Sequence, residues 1–351
     1  LLDTVEHTLR KLDLPRSDER WGRLFVERAS LADNLGRTGE AVKWAAKAGR
    51  EASRYHWNTI AAEANFRLAR DAIRRGDYDM ANARLVRVTS QVRPEDHPFM
   101  VGEALYLMGS LLRKSGEDPT EAKRLLKAGR TWMLKAPDPR KRVRALLHLA
   151  RAALESGQPG TCAALTERAR KVAIEIGDLP QQVQCLAFAA EVARGNGQLD
   201  AAAAKLRRAI EVFELIGDAQ LALLRCNLAM VLLDQGEVAE ALKELERGLA
   251  NAIEVDRDPL LLAVQTVRLR ALAEAGLWAE LDDVVLATRK LLQDAKVGEK
   301  DSASCAERAT RLLLDAGQDA RAERTREIAL DQYEKLGDKA GVARVRALEA
   351  R

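Results

Sequence analysis

The chain has 351 residues, of which 47% are apolar, 31% are charged and 4% are aromatic, and its 57 basic and 53 acidic side chains leave a net charge of +4. No stretch approaches the roughly 18 uncharged apolar residues of a membrane-spanning helix, so we expect no contact with a membrane. The small charge excess does not by itself predict nucleic-acid binding, and the prevalence of good helix formers such as Ala, Leu, Arg and Glu favours an all-α fold.

The predicted elements begin with a lone amphipathic helix over residues 1–13. Glycines then recur at intervals of 40, 40, 41, 40, 39, 40 and 41 residues, each between two amphipathic stretches. Glycine is the usual left-handed residue that ends a helix. These turn glycines are Gly36, Gly76, Gly116, Gly157, Gly197, Gly236, Gly276 and Gly317. We therefore predict eight helix-turn-helix repeats, at 17–57, 58–97, 98–137, 138–178, 179–217, 218–257, 258–299 and 300–337, and a capping helix at 338–351.

Small side chains flank most of the turns, five residues after the glycine and seven before it. Facing small residues allow two antiparallel helices to approach closely. They are Ala41, Ala81, Cys162, Ala202, Ala241 and Ala322 after the turn, and Ala29, Ala69, Gly109, Ala150, Ala190 and Ala229 before it. The seventh repeat departs from this pattern with Leu269 and Leu281, so we expect its helices to be splayed or atypically paired. Asp178 and Asp338 follow glycines at repeat junctions and are predicted to cap the next helix.

This pattern resembles the tetratricopeptide repeat, whose usual period is about 34 residues. The 40-residue form is similar to the repeats attached to bacterial signalling ATPases, large transcriptional activators and kinases. The resemblance covers roughly residues 17–351 and implies a single domain over 1–351, a right-handed superhelical α-solenoid. The sequence begins at Leu1 without Met, and both ends cut through a repeat, so we expect it to be part of a longer protein with an attached effector domain.

The resemblance also implies that the first helix of each repeat lines a concave face. In repeats two to four this face combines basic and aromatic residues, opposed by Glu63, Glu103 and Glu155. The candidate ligand-binding residues are Phe66, Arg70, Arg74, Tyr106, Arg113, Lys114, Arg144 and Arg151. The planar arginine fork suits a carboxylate or phosphate, so one interpretation is a groove for an acidic peptide or a phosphate-bearing ligand. The other is a solvated helix face, on which such charges contribute tenths of a kcal/mol each.

The sequence lacks the common motifs of catalytic and metal-binding sites. It contains no phosphate-binding loop, no nucleophile elbow and no His-Glu-x-x-His helix. Its four histidines lie in separate segments, and none of its four cysteines is in a Cys-x-x-Cys pair. We therefore predict a protein that is not an enzyme, with no catalytic residues, no metal and no cofactor. The isolated thiols favour a reducing, cytoplasmic setting.

Two functions are compatible with these features. The first is a scaffold or sensor that holds a protein or peptide, including an acidic one, on the concave face of a bacterial signalling protein. The alternative is a nucleic-acid-binding α-solenoid that uses the arginine-rich face. The weak net charge and the interspersed acidic residues argue against the alternative.

Overall fold

A computed structural model describes residues 2–34, 37–115, 118–216, 220–255, 258–293 and 298–348. Over these ranges the secondary structure is entirely helical, in eighteen α-helices. They are α1 (Leu2–Lys11), α2 (Glu19–Asn34), α3 (Thr38–Tyr55), α4 (Asn58–Arg74), α5 (Tyr78–Gln91), α6 (Pro98–Ser115), α7 (Pro119–Leu134), α8 (Pro139–Glu155), α9 (Pro159–Glu175), α10 (Leu179–Gly195), α11 (Leu199–Ile216), α12 (Leu221–Gln235), α13 (Val238–Val255), α14 (Asp258–Ala275), α15 (Trp278–Leu292), α16 (Lys300–Asp315), α17 (Asp319–Leu336) and α18 (Lys339–Arg346). The predicted all-α fold class is confirmed.

The helices follow the repeats in pairs. Two helices lie in each of the eight predicted repeat segments, α1 lies in residues 1–13, and α18 lies in the segment predicted as a capping helix. The six described turn glycines have φ between 67° and 82°, which a residue with a Cβ atom rarely adopts. They are Gly76, Gly157, Gly197, Gly236, Gly276 and Gly317. Gly36 and Gly116 lie outside the described residues.

Small residues lie where paired helices cross. The alanines on both sides of the turns are buried, as is Cys162. At Gly109 a Cβ atom would lie 2.9 Å from the carbonyl oxygen of Ala122 and 2.9 Å from the amide nitrogen of Leu126, which are backbone atoms of α7. The α6–α7 pair is therefore held at a distance that leaves no room for alanine at this position.

The seventh repeat is packed differently, around large side chains. Leu269 of α14 and Leu281 of α15 are both fully buried in one apolar cluster. The backbones of α14 and α15 approach over fewer residues than those of α12 and α13 or of α16 and α17, while α14 also packs on α16. Two leucines in place of two small residues explain why the backbones of α14 and α15 lie close together over fewer residues.

Aspartate side chains cap several helices. Asp178 accepts a hydrogen bond from the backbone amide of Gln181 at 3.1 Å, and Asp338 accepts one from Gly341 at 2.9 Å. Asp77 caps α5 in the same way. These bonds satisfy backbone donors at helix starts that have no partner inside the helix.

The chain divides into two compact units: Leu1–Ser156 with Lys171–Ile176, and Gly157–Arg170 with Gly177–Arg351. Within the first unit, apolar clusters form around Trp21, Phe25 and Ile60 and around Leu85 and Val88. Within the second, one large cluster extends from Val183 to Cys305 and another surrounds α14–α18. Among the described helices, none is long and apolar enough to cross a lipid bilayer.

Candidate anion-binding face of the first unit

The candidate ligand-binding residues lie on α4, α6 and α8, the first helices of repeats two to four. All three helices belong to the first unit, and α6 packs against both α4 and α8. We call this surface the α4–α6–α8 face. The repeat explains the arrangement, because residues at equivalent repeat positions lie on the same side of each first helix. Arg70 and Arg151, for example, both lie six residues before a turn glycine.

An acid and an imidazole lie at the centre of the face. Glu103 of α6 is only 4% exposed, and its Oε1 lies 3.8 Å from Nδ1 of His148 on α8. That distance is too long for a hydrogen bond, so the two groups interact through charge. The His148 side chain is partly exposed, at 42%.

Three of the predicted arginines act on the charge state of His148. Burial lowers the pKa of His148; Glu103 opposes this effect, while Arg144, Arg70 and Arg151 add to it. Arg144 and Arg151 come from α8 and Arg70 from α4, so the structure brings together charges that are up to 81 positions apart in the sequence.

The guanidinium groups of this cluster are exposed. Arg70, Arg144 and Arg151 all have exposed side chains. Arg144 lies over the ring of Phe99 at 5.2 Å, a cation–π contact that orients the guanidinium. Among the described residues, no carboxylate oxygen lies within 4.0 Å of Arg70. Asp71, the next residue on α4, pairs instead with Arg74 at 3.6 Å and Arg75 at 2.9 Å. Glu63 is held by Arg23 at 2.8 Å.

The other candidate residues have different surroundings. Arg74 forms ion pairs with Asp33 at 3.0 Å and Asp71 at 3.6 Å. Arg113 donates a hydrogen bond to the Ser156 hydroxyl at 3.4 Å. Phe66 is half-buried against an apolar cluster, which is a packing role.

Tyr106 is half-buried on α6. The side chains of Lys114 and Glu155 lie outside the described residues.

In the second unit, arginines on first helices are neutralised. Arg270, at the same repeat position as Arg70, is 14% exposed and pairs with Asp234 at 2.7 Å and Glu274 at 2.8 Å. Burial lowers its pKa, but the hydrogen bonds that Arg270 donates to these two carboxylates outweigh burial and raise the pKa overall. Asp234 is also held by Arg194 at 2.6 Å. These charges join successive repeats and do not present free anion-binding groups.

Two members of the cluster were not among the candidates chosen from the sequence. His148 was interpreted as an isolated histidine, and Phe99 was not singled out. One signal was available: Arg144, His148 and Arg151 are spaced i, i+4 and i+7, which places all three on one side of a helix. No local pattern in the sequence indicates that Arg70 on α4 reaches the same place.

Chemically, the face can bind an anion. Charge-assisted bonds from arginine to carboxylate or phosphate are about twice as strong as bonds between neutral groups. Glu103 can counter the positive charge when no ligand is bound. In the part of the chain that the structure describes, no group of three His, Cys, Asp or Glu side chains could hold a metal ion.

Comparison with known proteins identifies the fold. No family model and no curated protein matches the sequence. A Rap protein, whose structure was solved in complex with competence and sporulation factor, matches over 96% of this chain and 92% of its own, with 12% identity and a TM-score of 0.64. The fold is that of the tetratricopeptide-like repeat proteins.

Two further structures support this fold. Aspartyl phosphate phosphatase F from Bacillus subtilis matches over 88% of this chain and 76% of its own, with 12% identity and a TM-score of 0.59. A STAND signal-transduction ATPase with a tetratricopeptide repeat sensor, from Pyrococcus horikoshii, matches over 97% of this chain at 14% identity and a TM-score of 0.54. This chain spans about half of that protein, 52% of its length.

Proposed function

We propose that the chain is a binding module that holds an acidic segment of a peptide or protein on the α4–α6–α8 face. The observation that supports this proposal is the exposure of the Arg70, Arg144 and Arg151 side chains on α4 and α8, two helices that pack on α6 with its buried Glu103. A peptide with two or three carboxylates would pair with these groups and reduce their mutual repulsion.

The strength of such binding follows from the exposure of the arginines. Each exposed pair contributes about 0.2–1 kcal/mol, so three pairs give only modest affinity and a clear dependence on salt. An apolar contact at the half-buried Tyr106 would add to the affinity. We therefore expect weak affinity, in the upper micromolar to millimolar range, for a short acidic peptide.

The structural relatives support a role in binding and sensing. The Rap protein was crystallised with competence and sporulation factor, and the ATPase is described as carrying a tetratricopeptide repeat sensor. By analogy, we propose that this chain is the sensor region of a larger signalling protein, bacterial and cytoplasmic, with an attached effector domain. We also propose that its repeats form a right-handed superhelix. The flanking open reading frame tests this point, since a stop codon on both sides would contradict it.

One relative is a phosphatase, so the fold does not decide whether this chain is an enzyme. The α4–α6–α8 face combines arginines with a half-exposed histidine and a buried acid, and these residues suit the holding of an anion. That the chain is not an enzyme stays a prediction. It is tested by incubating the purified chain with acetyl phosphate or a phosphorylated receiver domain and measuring phosphate release.

Binding of a labelled peptide tests the proposal directly. Fluorescence anisotropy with fluorescein-labelled hexaglutamate at 50 mM salt is expected to show saturable binding that weakens as salt is raised. Replacing Arg70 or Arg144 with alanine is expected to weaken binding about threefold to fivefold each. Arg130→Ala provides a matched control, because Arg130 is equally exposed but lies on α7, a second helix.

Single-stranded DNA distinguishes the alternative function. A nucleic-acid-binding surface that neutralises three phosphates predicts a slope of about −2 in a plot of log affinity against log salt. We expect a dT12 oligonucleotide to bind more weakly than hexaglutamate, because the net charge of only +4 and the interspersed acidic residues do not favour a nucleic-acid surface. Tighter binding of the oligonucleotide, or equal loss of peptide binding in the Arg130→Ala variant, would refute the proposal.

A further inference from the structure

The second unit contains a cavity of about 240 Å³ between α9, α10 and α11. These are the second helix of the fourth repeat and both helices of the fifth. The cavity exists because small side chains line it, including Ala163 of α9 and Ala189 and Ala193 of α10. All the lining residues belong to the second unit, so the cavity is separate from the α4–α6–α8 face.

The cavity wall is mostly apolar where α10 forms it, while Thr166, Asn196 and Gln198 add neutral polar groups to the lining. Cys185, on the α10 side, is 1% exposed, and Ala193 is 5% exposed. Burial raises the pKa of the Cys185 thiol to about 12, so this side chain is neutral near pH 7 and adds no charge to the wall. An apolar group that enters such a space gains about 25 cal/mol for each Å² of surface removed from water.

The rim carries an excess of positive charge. Its charged residues are Arg170, Glu167 and Lys205. Arg170 is engaged by Glu167 through two hydrogen bonds of 2.8 Å.

Lys205 has a different environment. Its Nζ donates one long hydrogen bond, 3.4 Å, to the carbonyl oxygen of Ala201. An ammonium group has three donors, so this bond leaves donors for a ligand. Within the described ranges, no carboxylate oxygen lies within 4.0 Å of this ammonium. Lys205 is therefore the rim group suited to receive an anion.

We propose that this cavity binds a small amphiphilic carboxylic acid, with its apolar body against Cys185, Ala189 and Ala193 and its carboxylate on Lys205. The volume equals that of about eight water molecules at roughly 30 Å³ each. A phenyl or short alkyl group bearing one carboxylate matches this size, the apolar wall on α10 and the single available ammonium. The acid would bridge the fourth and fifth repeats.

Ligand-observed NMR tests this proposal with three probes: 3-phenylpropionate, indole-3-acetate and octanoate. At least one is expected to show saturation transfer from the protein with a dissociation constant at or below the millimolar range. The neutral analogue 3-phenylpropionamide separates charge from shape and is expected to bind about fivefold more weakly than the acid. Absence of binding by all three acids, or equal binding of acid and amide, overturns the proposal.

Variants locate the binding. Lys205→Gln is expected to weaken binding of the acid about fivefold and to leave the amide unchanged. Ala189→Leu is expected to fill the cavity and abolish binding of both. Ala204→Leu is the matched control, because Ala204 is an exposed alanine of α11 that does not line the cavity. Circular dichroism establishes that the variants are folded, and unchanged acid binding in a folded Lys205→Gln variant contradicts the assignment.

Discussion

Gly129 sets the distance between α6 and α7. A Cβ atom at this position would lie 2.6 Å from the carbonyl oxygen of Gly102 and 2.6 Å from the amide nitrogen of Tyr106. Both are backbone atoms of α6, which cannot move aside as the end of a flexible side chain can. Because Glu103 directly follows Gly102, this contact also fixes the part of the α4–α6–α8 face that carries the buried acid.

We expect Gly129→Ala to destabilise the chain by about 1–3 kcal/mol, since an added methyl in a tightly packed contact forces the backbones apart. The control is Gly195→Ala, also in a helix, where a Cβ atom would meet nothing within 4 Å. That change is expected to be neutral or stabilising by up to about 1 kcal/mol. Urea unfolding followed by circular dichroism measures both, and equal effects of the two substitutions would contradict the close approach.

Tyr333 holds the last helix through a buried hydrogen bond. Its hydroxyl donates to Oε2 of Glu307 at 2.7 Å, and Arg344 of α18 reaches the same carboxylate at 3.3 Å. Burial and the bond to Glu307 raise the pKa of Tyr333 to about 12. Burial also acts to raise the pKa of Glu307, but the hydrogen bonds from Tyr333, Arg344 and Arg311 outweigh it and lower that pKa.

We expect Tyr333→Phe to cost about 1–3 kcal/mol near pH 8, because it removes a donor from a buried charge. A raised pKa in the folded state means that the stabilisation is fully present below the unfolded pKa of about 10. It is lost as pH rises from there toward 12, so the difference between wild type and variant should shrink between pH 9 and 11. Tyr55→Phe is the control. A difference in unfolding free energy that stays constant over this range would show that the bond to Glu307 does not raise the pKa of the Tyr333 hydroxyl.

At the scale of the helix, the residue after the turn glycine decides how well the second helix begins. Asp77 follows Gly76 and caps α5 by accepting a hydrogen bond from the amide of Met80 at 3.1 Å. Leu277 occupies the same place after Gly276; it makes no such bond and is 38% exposed. The two turns have similar glycine geometry, with φ of 73° and 70°.

The two positions allow a reciprocal test. Leu277→Asp is expected to stabilise the chain by about 1 kcal/mol, and Asp77→Leu to destabilise it by about 0.5–2 kcal/mol. Thermal unfolding of the two variants and of the double variant measures this, with the double variant close to wild type if the sites are independent. Destabilisation by Leu277→Asp would mean that the leucine has a packing role that outweighs the cap.

The sequence predicts the helices far better than it predicts the site. A glycine every forty residues, between amphipathic stretches, determines where each pair of helices turns, because that position needs a left-handed backbone. The third repeat also shows the limit of the pattern. Gly129 lies thirteen residues after Gly116, one further than the small residues of other repeats, such as Ala169 after Gly157. The extra residue in that turn explains the shift.

The site depends on which charges meet across helices, and the sequence contains little information about this. Arg70 and Arg74 lie one turn apart on α4. Yet Arg74 pairs with Asp33 of α2, while the charge of Arg70 acts on the pKa of His148 of α8. The difference arises from packing between repeats and from the rotamers of long side chains, neither of which a one-dimensional pattern encodes.

At the scale of the molecule, charges between first helices recur with the repeat. Arg23 pairs with Glu63 in the first unit, and Arg194 pairs with Asp234 in the second, both at a separation of 40 residues. Such pairs join successive repeats within a unit. Against this background, the cluster of Arg70, Arg144 and Arg151 differs because it places exposed positive charge on two first helices, α4 and α8, that both pack on α6.

Hydrogen exchange with and without hexaglutamate, followed by mass spectrometry, tests the central claim most directly. The account predicts slower exchange in the segments 63–74, 100–113 and 141–154 when the peptide is bound at low salt, with the Arg144→Ala variant losing most of the effect. Slower exchange confined to the second unit, or no change under conditions in which the peptide is bound, would contradict the assignment of the α4–α6–α8 face.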